Sequence, residues 1–153
     1  MDKSKLMNYS KAQLVEMLVK ETATVITTPS DALAPILKEL DKFKFKEIEC
    51  FICITLNGSH KVINSYVVSQ GLVNRTLVHP REVFRPAISD NATAVIIAHN
   101  HPSGNLEPSL EDREVTKRMK QAGDLIGIKV LDHLIVAPSL GYFSFVEGNI
   151  FYS

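Results

Sequence analysis

Apolar residues recur at helical spacing, including Leu14 and Leu18, behind Ser10, a residue suited to cap a helix that runs to about Glu21. The segment TVITTPS breaks this pattern, and Ser30 opens a second amphipathic helix, DALAPILKELDKF, in which Pro35 comes early enough to be tolerated. From about Ile48 to Leu56 the chain is apolar and β-prone. NGSH then supplies a turn and KVINSYVVS returns, which predicts a hairpin. LVNRTLV predicts a further short strand, and Pro80 stands at the start of a helix that continues through REVFRPAIS despite Pro86. ATAVIIA reads as a buried strand ending at His99. After a polar loop, Ser109 caps a helix, SLEDREVTKRMKQAG, with Gly123 as its stop. The remainder predicts a strand, IGIKVLDHLIVA, a turn at PSLG and a final strand or hairpin through YFSFVEGNIFYS.

Helices and strands mix without a regular βαβ repeat, which predicts an α+β fold with a mixed β-sheet flanked by helices. The 153 residues suffice for one core without disulfide staples. Residues 1–30 are expected to form an N-terminal helical extension and residues 31–153 the domain proper.

Lys plus Arg and Asp plus Glu both number 17, so the formal charge is zero. Strong sequence-independent binding to nucleic acid, which needs clustered cations, is not supported by this balance. No apolar run is long enough to span a bilayer, and the start MDKSKLMNYSK lacks the apolar stretch of a signal peptide. These features predict a cytoplasmic protein with no membrane partner. Cys50 and Cys53 stand three apart in ECFICITL, an odd offset that sends them to opposite faces of a strand as buried thiols rather than a CxxC pair.

The chemistry concentrates in AHNHPSGNLEPSLED. His99 and His101, two apart at a strand end, project to one side and can chelate one metal. Asp112 stands one turn into the helix capped by Ser109, so the loop can fold back and bring its carboxylate to the same ion. Three protein ligands leave the fourth position of a tetrahedral zinc for water, the arrangement of catalytic sites, and a metal lowers the pKa of such a water toward neutrality. The chemistry needs a nearby proton acceptor, and Glu49, a charge opening an otherwise apolar strand, is the best upstream candidate. Ser109 has two available jobs, helix cap and hydrogen-bond donor to an oxyanion.

The run resembles the JAMM signature, HxHP…SxxD, of the JAB/MPN metalloenzymes, and the wording HNHPSG with EPS and Asp112 resembles the RadC branch of that superfamily. VHPREVFRPAI (Val78 to Ile88), Glu49 with ITLN, and LDHLIV (Leu131 to Val136) match as well, so the resemblance covers roughly Glu47 to Val136. It implies a JAB/MPN, cytidine-deaminase-like sandwich and a hydrolase acting on a peptide or isopeptide substrate. It also implies Zn2+ on His99, His101 and Asp112, with Ser109 as oxyanion donor and Glu49 as general base. The branch carries a DNA-repair name, which implies, as the alternative, a DNA-associated factor or a nuclease on the same fold. Full-length members carry a helix-hairpin-helix segment ahead of this domain, and no clear hairpin motif precedes Glu47 here.

Other residues have plainer readings. His79 shapes the turn before Pro80. Asp132 and His133 are adjacent on a strand and point to opposite faces, so one of them at most can support a ligand by a hydrogen bond. His60 sits in a solvated turn, and Gly104 permits a positive φ within PSGN. The apolar end GNIFYS packs within the domain or at a homodimer interface.

Overall fold

The computed structural model describes residues 10–12, 24–41, 47–71, 78–138 and 141–152. A 3-10 turn, Pro29–Ala32, leads into α1 (Leu33–Leu40). There follow β1 (Cys50–Leu56), β2 (Val62–Gln70), α2 (Pro80–Ser89), β3 (Ala94–Asn100), α3 (Leu110–Ile126), β4 (Lys129–Val136) and β5 (Tyr142–Ser144). The five strands form one mixed sheet in the order β2-β1-β3-β4-β5, with the β3–β4 pair parallel and the others antiparallel. The fold is α+β, as the mixed pattern of the sequence predicts.

β1 and β3, CFICITL and AVIIAHN, are buried along their whole length because the sheet is covered on both faces. Strand alternation divides their side chains between two cores. On one face Phe51, Cys53, Val95 and Ile97 pack under α2 and α3 through Phe84, Val115 and Met119. On the other, Cys50, Ile52, Ile54 and Ile96 pack against Ile26 and against Ile36 and Leu40 of α1. The two cysteines are thus buried thiols in separate cores, as their odd spacing requires.

Several expected boundaries move. The first helix lies mostly outside the described residues, although Lys11 and Ala12 are helical, and of LVNRTLV only Val78 is described. The helix expected to open at Ser30 instead enters through a 3-10 turn capped at Thr28. There Asp31 closes the cap by accepting from the Thr28 N–H at 2.9 Å. Gly123 does not stop α3. The helix ends at Ile126, with Gly127 in the left-handed conformation at φ 77° as its cap. Gly123 serves packing instead, since a Cβ there would stand 2.3 Å from the Ile128 carbonyl oxygen. The final strand shrinks to the three residues of β5, after which the backbone turns and buries Phe145 and Phe151. The C-terminal apolar residue Phe151 therefore packs within the domain, with the Lys120 ammonium 4.1 Å from its ring centre. Among the described residues no helix is long and apolar enough to cross a membrane.

Candidate metal centre

The site lies where β3 ends, at the C-terminal edge of a parallel strand pair. His99 belongs to β3 and His101 follows it, its backbone N–H still donating to the Val136 carbonyl at 2.8 Å, so the chain stays extended through both. Their side chains therefore emerge on the same face. The polar loop that follows is tied to itself. Gly104, at φ 86°, allows a turn closed by its N–H on the His101 carbonyl at 3.0 Å, and Glu107 N–H donates to Asn105 Oδ1 at 3.0 Å.

The loop delivers the chain to Ser109, the N-cap of α3. Ser109 Oγ accepts from Asp112 N–H at 3.1 Å, and Asp112 Oδ2 accepts from Ser109 N–H at 2.8 Å, a reciprocal capping box. Asp112 is fully buried in the first turn, where the helix dipole favours a negative charge. Its Oδ1 lies 3.1 Å from His99 Nε2, and its Oδ2 lies 3.4 Å from His101 Nε2.

Hydrogen bonding assigns the histidine tautomers. His101 Nδ1 is 2.5 Å from the Asn105 carbonyl oxygen, which can only accept, so Nδ1 carries the proton and Nε2 a lone pair. Thr116 donates its hydroxyl proton to the Asp112 carbonyl at 2.7 Å and must then accept from His133 Nδ1–H, 2.5 Å away. His133 Nε2 is thereby an acceptor. It lies 2.7 Å from His99 Nδ1, which donates to it and leaves the His99 Nε2 lone pair facing the site. Two imidazole lone pairs thus meet at 2.9 Å beside a carboxylate, an arrangement that repels itself unless a cation sits between.

This donor set fits a metal. The ligand atoms of His99, His101 and Asp112 all lie within 4.8 Å of one another, and all three residues are buried. Ligands at about 2.0–2.1 Å from a tetrahedral zinc stand roughly 3.3 Å apart. The two Nε2 atoms stand 2.9 Å apart, and the carboxylate meets them with different oxygens, Oδ1 at 3.1 Å from His99 and Oδ2 at 3.4 Å from His101. Two neutral imidazoles and one carboxylate would hold a divalent cation with a net positive charge remaining.

Flanking groups hold the rings. Phe51 stacks on His99, with ring centres 6.1 Å apart and planes 4° from parallel, and Phe145 stacks on His133 at 4.6 Å. His133 is the residue of the Asp132–His133 pair that hydrogen-bonds to His99. Asp132 turns away and accepts from Ser144 Oγ, His133 N–H and Val146 N–H. Thr116 escaped the sequence reading, although its position four residues after Asp112, on the same face of one helix, was the available signal. His60 is exposed in its turn, and His79 provides the extended backbone of the α2 N-cap without a side-chain cap bond.

Glu49 immediately precedes β1 and is half-buried. Phe51 faces His99 in the last pair of the β1–β3 ladder, and Glu49 lies two residues beyond that pair. Ser109 is also half-buried, and its cap bond uses the hydroxyl only as an acceptor.

Residues 26–150 match the RadC-like JAB domain family. Among curated proteins, the chain is 57% identical over 103 residues to the UPF0758 protein of Symbiobacterium thermophilum, covering 67% of this chain and 44% of that protein. It is 48% identical over 129 residues to the UPF0758 protein of Rubrobacter xylanophilus, covering 82% and 53%. With that of Geotalea uraniireducens it shares 39% identity over 130 residues, covering 85% and 55%. The chain therefore spans about half the length of the curated relatives it matches, whose names state no activity. A match over most of the described domain, on a mixed sheet with a buried His-His-Asp group at the end of β3, shows that the chain belongs to the RadC-like JAB domain family.

Proposed function

We propose that this domain is a zinc-dependent hydrolase of the JAMM type that cleaves an amide or isopeptide bond. The reading rests on the convergence of two imidazole Nε2 lone pairs and the Asp112 carboxylate in one buried group whose ligand atoms lie within 4.8 Å of one another. Zinc bound there would polarise the scissile carbonyl and make water acidic enough to attack near neutral pH.

The protein's own residues supply the rest. His99 and His101 present neutral Nε2 atoms because His133 and the Asn105 carbonyl hold their Nδ1 protons. Glu49, two residues beyond the Phe51↔His99 pair, accepts the proton of the attacking water and returns it to the leaving amine. Ser109 keeps its hydroxyl proton for the substrate oxygen as that atom gains negative charge, while its Oγ continues to cap α3. Phe51 and Phe145 exclude water from the inner side of the ligand histidines.

The test is hydrolysis of a panel of fluorogenic peptides and isopeptide-linked peptides by zinc-loaded protein, with and without chelator. Cleavage stops on chelation and returns with zinc. Glu49→Gln keeps its zinc but loses roughly 100-fold or more in rate. Cleavage that persists in chelator contradicts the reading. Full activity in Glu49→Gln assigns the base elsewhere.

A further inference from the structure

Asn100, the residue between the two histidines, points to the opposite face from them and is completely buried. Its side-chain amide makes two hydrogen bonds to one short stretch of the neighbouring strand. Oδ1 accepts from Cys50 N–H at 2.7 Å, and Nδ2 donates to the Ile48 carbonyl at 2.9 Å. Those groups belong to the two peptide planes that flank the Glu49 Cα. The second plane is held again by the Glu49 carbonyl, which accepts from Gly71 N–H at 2.8 Å. Fixing both planes fixes φ and ψ of Glu49, and with them the direction of its Cα–Cβ bond.

We propose that Asn100 is a positioning residue that aims Glu49 toward the His99, His101 and Asp112 group. This rests on the reading of Glu49 as the proton acceptor. The backbone pairing of β1 with β3 ends at Phe51↔His99, two residues short of Glu49. Beyond that point β2 still holds one side of the segment through Gly71 N–H, and on the β3 side the Asn100 amide takes the ladder's place. A primary amide suits this task because it offers a donor and an acceptor on one rigid plane. A carboxylate would set an oxygen against the Ile48 carbonyl, and an aliphatic side chain would remove both bonds and leave the buried Cys50 N–H without its Asn100 acceptor. The two histidines and the asparagine between them therefore divide the work by strand alternation. One face binds the ion, and the other sets the base.

The experiment uses the full chain loaded with cobalt(II), whose visible absorption is followed against pH, alongside hydrogen exchange of residues 48–50. Glu49→Gln is expected to move the pH midpoint of the spectrum. Asn100→Ala is expected to retain cobalt, to move the midpoint in the same direction, and to speed exchange of the Cys50 amide by roughly two- to tenfold. The double variant moves no further than Glu49→Gln alone. Asn100→Asp, which keeps the acceptor for Cys50 N–H, shifts the midpoint the same way and serves if the alanine variant does not fold. The proposal is overturned if the Asn100 variants keep the parent's midpoint while Glu49→Gln moves it, if the double variant adds both shifts in full, or if the Asn100 variants lose cobalt. A Glu49→Gln midpoint equal to the parent's removes the base assignment itself, and this proposal with it.

Discussion

His133 Nε2 lies 2.7 Å from His99 Nδ1, and the proton on that bond belongs to His99 because Thr116 occupies the other side of His133. A residue 34 positions away in the chain thus decides which nitrogen of His99 is available to a metal. His133→Ala should lower zinc affinity by roughly 10- to 100-fold without removing a ligand. Competition with a chromophoric chelator measures this. Thr116→Val, which keeps the shape and deletes the hydroxyl, should move affinity in the same direction by less. Unchanged affinity in both variants would mean that the ring is held by packing against Phe51 alone.

Cys50 and Cys53 are 1% and 0% exposed, in separate cores. Burial, followed by the Asp90 carboxylate, pushes the Cys53 thiol up to about 12, and burial also raises Cys50. Neither thiol should react with an aromatic disulfide reagent at pH 8 in the native protein, and both should react once denaturant unfolds it. Rapid reaction of either in the folded state would contradict the packing of β1.

Burial raises the Asp132 carboxyl above its ordinary value, against the lowering effect of hydrogen bonds from Ser144, Val146 and His133. A carboxyl whose folded-state pKa is raised favours the fold when protonated. Its contribution is fully present below the unfolded value of 3.8 and is lost as pH rises through the higher folded value. Asp132→Asn should preserve the amide bonds from His133 and Val146 on one oxygen, while the Ser144 hydroxyl reverses to accept. The variant should therefore be more stable than the parent at pH 7, with the difference shrinking toward pH 4. Thermal unfolding at the two pH values checks the sign.

The grouping of His99, His101 and Asp112 was legible because alternation put His99 and His101 on one face, Ser109 marked a helix start, Asp112 fell within its first turn, and the HxHP…SxxD pattern joined the three. The hairpin and the buried β3 were legible for the same reason, each being declared by a short apolar run between turn residues. The supporting residues required tertiary information. Thr116 meets His133 only because α3 packs over β4, and Asn100 reaches Ile48 and Cys50 only because β1 pairs with β3. The misplaced end of α3 has a different origin. Gly123 carries the usual signal of a helix stop, yet its missing side chain is used to let the helix approach the Ile128 backbone, while the left-handed turn falls to Gly127.

If His99, His101 and Asp112 hold one metal ion, that ion should travel with the protein through purification. Metal content by plasma mass spectrometry, on protein purified without chelator, beside His101→Ala, decides the point. About one zinc per chain is expected in the parent, the count of a single three-ligand catalytic site, with its loss in the variant. No metal in either protein, even after incubation with zinc, would contradict it.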